Sequence, residues 1–183
     1  MDYLAIIKKH YKEDSDLYNL LVNHSRQVSE KALKIASRLP ELVPDLIFIA
    51  QAAMLHDIGI KYCNAPDLFC HGSEPYIKHG ILGRELLIKE GYPKHARACA
   101  SHTGVGITKD EIISENFPLP HEDLIPLSTE EKIISLADLF FTKYPGKSDK
   151  ELTIDEIKKS LLKHGENKVK IFEQWCKQFK IKT

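Results

Sequence analysis

Six side chains spread over most of the chain can do chemistry together: His24 in NHSRQV, the adjacent pair His56-Asp57 in MLHDIGIK, His79 in IKHGILG, His102 in ASHTGVG and Asp138 in SLADLFF. An adjacent His and Asp offer an imidazole nitrogen and a carboxylate oxygen from neighbouring positions. With further ligands brought in by folding, they can hold a borderline transition metal. Taken singly, each has a structural alternative. An inward His24 is ordinarily a core histidine satisfied by a hydrogen bond, and Asp138 on an apolar stripe is ordinarily half of a buried salt bridge. A lone His-Asp pair is weak evidence, but the ordered series of His, His-Asp, His, His and Asp on helical segments is hard to obtain by chance.

The elements that must present these residues read as helices almost throughout, with no internal repeat, so the expected fold is all-α, a compact helical bundle. From Ser15 to Leu39 the apolar residues Leu17, Leu21, Val28, Ala32, Ile35 and Leu39 step by three or four, and His24 falls in the same stripe. A second helix starts near Pro44-Asp45 and stops around Gly59, which leaves His56-Asp57 at a helix end held by apolar turns. Ser73-Glu74-Pro75 opens a helix reaching Glu90, with Gly91 and Pro93 as stop signals; within it Gly83, one turn from His79, marks a close approach. The segment PKHARACASHTG places His102 at another helix end, just before Thr103-Gly104. Ser128 to Glu131 reads as a capping box opening EEKIISLADLFFTK, where Asp138 shares a face with Ile134 and Phe141.

After Asp138, YPGKSDKEL breaks the chain and Thr153 to Glu156 restarts it with a second capping box. Beyond Gly165 a last helix sets Val169, Phe172, Cys176 and Phe179 on one face, with Trp175 assigned to packing. These final helices read as core-covering additions. The expected organisation is therefore one domain over 1–183, its core at about 15–145 and a helical addition at about 150–183. The longest connection runs from Gly104 to Leu127. Thr108 to Glu111 can cap one short helix there, but Pro118, Pro120 and Pro126 prevent a continuous one. A long loop beside a site shapes its mouth.

With 26 Lys plus Arg against 26 Asp plus Glu, no net positive field draws in polymeric nucleic acid or an anionic membrane. A small phosphate ester stays compatible, because bound metal ions supply local positive charge. Cys63, Cys70, Cys99 and Cys176 form no C-x-x-C pair, and the opening residues lack the apolar run of a signal peptide, so a reducing cytoplasm is expected. Cys63, Cys70 and His71 match no common zinc spacing and read as packing thiols and a loop histidine. No apolar run approaches the length of a membrane span.

The ordered ligands and their contexts resemble the HD superfamily of metal-dependent phosphohydrolases, in the branch whose His-Asp precedes Ile-Gly. The resemblance extends from about His24 to about Asp138. It implies one metal held by His24, His56, Asp57 and Asp138, a second held by His79 and His102, and Asp57 as the bridge. The mixed nitrogen and oxygen donors suit one or two divalent ions of iron, manganese, zinc, cobalt or nickel better than magnesium. The implied reaction is hydrolysis of a small phosphoester or phosphoanhydride by a metal-activated hydroxide, with nucleotides the leading substrate class. Asp57 and Lys61 are the expected catalytic residues, Lys61 as stabiliser of phosphoryl oxygens. Lys61 and Thr103 are the expected substrate contacts, the alternatives being a solvated lysine and a helix-ending hydroxyl.

HTG after His102 and KIISLAD around Asp138 are similar to the symmetrical diadenosine tetraphosphate hydrolases, although the loop after His102 is much longer than in that branch. Gly91-Tyr92-Pro93 spells the letters of the HD-GYP element in a helix-stop context without its surroundings. The same ligand set serves di-iron oxygenases of the superfamily, and idle ligand-sensing modules also share the fold. The complete set of ligands favours an enzyme. Homo-oligomerisation is left open by the sequence.

Overall fold

The computed structural model describes residues 1–144 and 150–181. The break expected across 144–152 falls mostly on residues outside that range. Helices dominate, in keeping with the expected all-α class: α1 (Tyr3–His10), α2 (Asp16–Ala36), α3 (Leu46–Leu55), α4 (His79–Lys89), α5 (Pro93–Ser101), α6 (Lys109–Ser114), α7 (Thr129–Asp138), α8 (Ile154–Leu162) and α9 (Glu166–Gln178). One small feature was not anticipated. Asn64–Ala65 (β1) pairs antiparallel with Cys70–His71 (β2), and Gly72 N donates back to Cys63 O, so the chain folds into a short hairpin after the His-Asp turn. Cys63 and Cys70 are buried there, and burial pushes their thiols up to about 12 and about 11, as suits packing groups.

The helix boundaries follow local chemistry. Ser15 and Asp45 cap α2 and α3 by accepting from Tyr18 N and Phe48 N. Thr108, Ser128 and Thr153 each form a complete capping box with the glutamate three residues on. Glu131 in the second box also receives Leu127 N and pairs with Arg97, which ties α7 to α5. Gly91 ends the α4 segment at φ +84° and Pro93 opens α5, so Gly91-Tyr92-Pro93 is a helix junction.

Two apolar clusters make up most of the core. Val28, Ala32 and Ile35 of α2 pack with Phe48 and Ile49 of α3, Ile133 and Leu136 of α7, Phe172 and Trp175 of α9, and Phe179 at the α9 C-cap. Leu21 of α2 belongs to the second cluster, with Ile7 of α1, Leu55, Leu87 of α4 and Cys99 of α5. His24 lies between Leu21 and Val28, and His56 directly follows Leu55, so the polar ligands sit along the seam of the two clusters. The 104–127 connection is packed as well. Ile112, Leu119 and Leu124 bury against Ile81 and Ala100, Ile107 bridges Leu124, and Lys168 of α9 donates to Gly106 O (2.7 Å) and to Glu111 (2.6 Å). This connection is a braced wall.

Glycines allow the ligand-bearing segments to meet. A Cβ on Gly59 would fall on the His79 carbonyl and the Gly83 amide nitrogen, and one on Gly83 would fall on Cys99 Sγ. A Cβ on Gly80 would stand 2.8 Å from Cys99 O. The Gly59→Ala variant must therefore push α4 away from the His-Asp turn, because the obstruction is backbone. Overpacking of this kind costs about 1–3 kcal/mol. Urea denaturation should show a loss at the upper end of that range, and an unchanged midpoint would refute the close-approach reading.

Candidate metal centre

Five segments deliver six potential ligands, mostly from helix ends. His24 projects from the middle of α2, His56 is the C-cap of α3 with Asp57 following, His79 is the first residue of α4, His102 is the C-cap of α5, and Asp138 is the last residue of α7. Three of the histidines fix their rings in the same way, on the backbone carbonyl three residues back. The Nδ1 of His56 pairs with Ala53 O (2.6 Å), that of His79 with Tyr76 O (2.7 Å) and that of His102 with Cys99 O (2.7 Å). A carbonyl can only accept, so each Nδ1 carries a proton and each Nε2 points inward, where the neutral ring presents a lone pair. Two further contacts hold the rings: Tyr76 stacks on His79 with centroids 4.8 Å apart, and the Cys99 thiol, pushed up by burial, donates to His56 O at 2.8 Å.

The inward atoms form two groups that share Asp57. Asp57 Oδ2 lies 3.4 Å from His24 Nε2 and 3.1 Å from His56 Nε2, while Asp138 Oδ1 lies 2.9 Å and 3.4 Å from the same two nitrogens. Asp57 Oδ1 lies 3.4 Å from both His79 Nε2 and His102 Nε2, which are 3.0 Å apart. Each group's ligand atoms lie within 4.8 Å of one another. Donors about 2.1 Å from one ion stand roughly 3.0–3.4 Å apart at octahedral to tetrahedral angles, and these separations match.

The protein's own groups leave the centre unsatisfied. With both Nδ1 protons committed to carbonyls, His79 and His102 turn two acceptor nitrogens toward each other, a repulsive arrangement unless a cation or a proton lies between them. Both Asp57 oxygens and His56 Nε2 are buried with no partner in hydrogen-bond geometry. A buried carboxylate in that condition calls for a cation, and the donor set fits a divalent transition metal.

Asp57 and His56 are 0 % exposed. Burial alone would raise the Asp57 carboxyl, but His56 and Lys143 hold it well below the usual carboxylate range. Burial likewise opposes charge on His56, yet Asp57 and Asp138 raise it to about 10. His79, where burial outweighs the pull of Asp57, is lowered to about 4. The two halves therefore differ: near neutral pH, a proton occupies the His56 position until a metal displaces it, whereas His79 is already neutral.

Lys143, which the sequence reading missed, enters this centre. Its Nζ lies 2.7 Å from Asp57 Oδ2 and 4.0 Å from Asp138 Oδ1. The helix expected to continue through Lys143 stops at Asp138, and the turn that follows brings the lysine back. The available signal was a single lysine closing the apolar run LFFTK. Lys61 requires correction. Residues 60–62 form a 3-10 turn that aims Lys61 at α1, where its Nζ donates to His10 O beside the Tyr11 and Tyr62 rings. It braces α1 against the His-Asp turn and is not among the groups ion-paired with the ligands. Thr103 lines a cavity together with Val105, Phe117 and Leu161.

A family model described as HD domain matches residues 21–143. The chain belongs to the HD domain family. All six ligand candidates and Lys143 lie inside the matched HD segment, whereas α8 and α9 lie outside it. The chain is 35% identical over 128 residues to the uncharacterized protein MJ0778 of Methanocaldococcus jannaschii, covering 67% of this chain and 68% of that one. It is 33% identical over 137 residues to a tRNA (cytidine(56)-2'-O)-methyltransferase of Picrophilus torridus, covering 74% of this chain but only 34% of that relative's length. Among solved structures, the HD domain of the Listeria monocytogenes phosphodiesterase PgpH aligns over 95% of this chain and 94% of that one, with TM-score 0.53 and 16% identity, a likeness of fold.

Two measurements test the centre. Metal analysis of protein loaded without chelator should find up to two transition ions per chain, both lost in Asp57→Asn and only one lost in His102→Ala. Full occupancy of Asp57→Asn would show that Asp57 does not bridge. Between pH 7 and 9, uptake into the His24–His56 half should release about one proton per ion and tighten roughly tenfold per pH unit, because His56 titrates near 10. His79, lowered to about 4, should add no such release to the other half. Calorimetry in buffers of different ionisation enthalpy separates the two, and equal proton release from both would contradict the assignment.

Proposed function

We propose that this HD-domain chain is a metal-dependent phosphohydrolase acting on a small phosphoester or phosphoanhydride, with nucleotides the leading substrate class. The observation that carries the reading is the shared Asp57 carboxylate, flanked by two sets of histidines with the Lys143 ammonium 2.7 Å away. The catalytic residues are Asp57, as common ligand, and Lys143, in the place that sequence reasoning gave to Lys61. The ligands proposed are His24, His56, Asp57, His79, His102 and Asp138, holding one or two ions of iron, manganese, zinc, cobalt or nickel. A pair of divalent ions bound there supplies Lewis acidity that lowers the pKa of water and polarises a phosphoryl group.

The chain's own residues do the rest. Burial of Asp57, His56 and His102 keeps bulk water from competing for the reacting group. Hydrogen bonds from Nδ1 to backbone carbonyls fix the rings before substrate arrives. Lys143 is held charged by Asp57, although burial opposes it, and so offers a fixed cation to phosphoryl oxygens. Thr103, one residue beyond His102, is the proposed substrate hydroxyl contact. We take the chain as one HD domain, core about 15–145 with a helical addition at about 150–183, because α9 and its C-cap supply Phe172, Trp175 and Phe179 to the main apolar cluster. Among the described residues no helix is long and apolar enough to cross a membrane. The four cysteines are free and buried, which suits a reducing cytoplasm.

Hydrolysis should appear in a panel of mononucleotides, dinucleoside polyphosphates, cyclic dinucleotides and sugar phosphates assayed with manganese, iron, cobalt and nickel. Silence across the panel together with oxygen uptake by the ferrous protein would replace this reading with the oxygenase one. Lys143→Met should lower kcat/KM by roughly 10²–10³-fold, the usual loss for a charge-stabilising donor, with metal content retained. Lys61→Met should leave turnover within about twofold while lowering stability, since its partners are His10 and Tyr11. The reverse pattern would restore Lys61 to the site.

A further inference from the structure

Resting on the hydrolase reading, we propose that the cavity between the 103–117 wall and the end of α8 is the subsite for the substrate's organic group, and that this group is a single nucleoside. Three ligand-bearing elements reach this cavity independently: Thr103 directly follows His102, Leu139 directly follows Asp138, and Ile77 precedes His79 by two residues. The cavity therefore adjoins three of the segments that carry the ligand candidates, and offers room there for the ester substituent of a phosphoryl group.

Size narrows the occupant. The cavity measures about 380 Å³, near the lower end of small-molecule sites, which run from roughly 300 to 1,000 Å³. One base with its ribose fits that space, and a second nucleoside must remain outside it. The chemistry of the walls narrows it further. Val105, Phe117 and Leu161 with Ile77 present apolar surface suited to the faces of a flat ring, and Phe117 can stack on a base. The hydroxyls of Thr103 and Ser160 offer hydrogen bonds at the edge. Glu115, Lys163 and His164 also line the cavity, so the ribose finds polar partners there, while the apolar faces of Ile77, Val105, Phe117 and Leu161 suit a base beyond it.

The cavity is also pre-formed. Gly106, at φ +91°, passes so close to the 125–126 strand of chain that a Cβ would stand 2.8 Å from Ile125 Cα and 2.9 Å from Pro126 Cδ. Lys168, almost wholly buried on α9, holds Gly106 O and Glu111 from the other side. The wall thus need not be ordered when the ligand arrives, which favours affinity. Ser160, Leu161 and Lys168 lie beyond the family match at 21–143, so the selective half of the pocket is built by the C-terminal addition.

The test uses metal-loaded full-length protein and two probes that cannot turn over: the phosphonate analogues of adenosine monophosphate and of ribose 5-phosphate, each with a methylene replacing the ester oxygen. The nucleotide analogue should bind about tenfold tighter or more. In Ser160→Trp, an exposed helical position where an indole would fill the cavity, that advantage should disappear. In Phe117→Ala it should shrink, with metal content unchanged in both. Equal affinity of the two probes for the wild-type protein, or an undiminished advantage in Ser160→Trp that kept its metal, would overturn the proposal. Should Ser160→Trp lose its metal through misfolding, Phe117→Ala and the wild-type comparison decide. If no phosphate ester is cleaved at all, the hydrolase reading fails, while the binding comparison still decides the subsite.

Discussion

A single buried carboxylate governs the rest of this molecule. Asp57 is 0 % exposed, and its two oxygens face different pairs of histidines. Burying an uncompensated carboxylate is far costlier than a domain of this size can bear, so the surrounding elements must supply positive charge at that point. Lys143 supplies part of it. The ammonium reaches Oδ2, leaves Oδ1 between two imidazoles, and makes no well-formed hydrogen bond to either. The remaining deficit is what gives the centre its affinity for cations.

The helix ends convert this electrostatic demand into fixed geometry. A histidine at a helix end can set its Nδ1 against the backbone carbonyl three residues back. His56, His79 and His102 all do so, and His24, which sits in the middle of α2, has no partner for Nδ1. The close approach of these ends requires the missing side chains at Gly59, Gly80 and Gly83. The Cys99 thiol fills the space beside Gly83 and at the same time satisfies the His56 carbonyl. The contacts that pack these helix ends are therefore the same ones that orient the ligand histidines, and a methyl group added at the interface disturbs both.

The sequence was most informative where a residue type has few alternative uses. Ser15, Asp45 and the capping boxes at Thr108, Ser128 and Thr153 stand where their local hydrogen-bonding chemistry requires. The six ligand candidates converge, and the glycine near His79 does mark a close approach. Lysines were harder to read, because a long flexible cation carries no periodic signal. Lys61 stood next to the motif yet turns toward α1, while Lys143 stood beyond it and folds back. Whether a helix ends at Asp138 or runs on to Lys143 decides the matter, and propensity alone did not place that end. The hairpin at 64–71 was missed for a related reason: two residues per strand are too few to show alternation. The cavity wall was illegible because it joins residues near 105 to residues near 161, a long-range pairing with no local pattern.

Those long-range contacts suggest how the parts of the fold divide their work. The matched segment, 21–143, contains every ligand candidate and Lys143, so the capacity to bind cations and phosphoryl oxygens lies within it. The C-terminal helices add no ligand candidate. They close the main apolar cluster through Phe172 and Phe179, and through Lys168 they lock the 104–127 wall in place. The exposed side chain at Ser160 can change without touching the seam where the ligands sit, because it stands outside both apolar clusters. Substitutions in α2, α3 or α7 have no such freedom, since there the same residues pack the core and aim the ligands. Variation in what the protein accepts is thus physically cheap on the α8 side of the cavity, and variation in how it reacts is expensive.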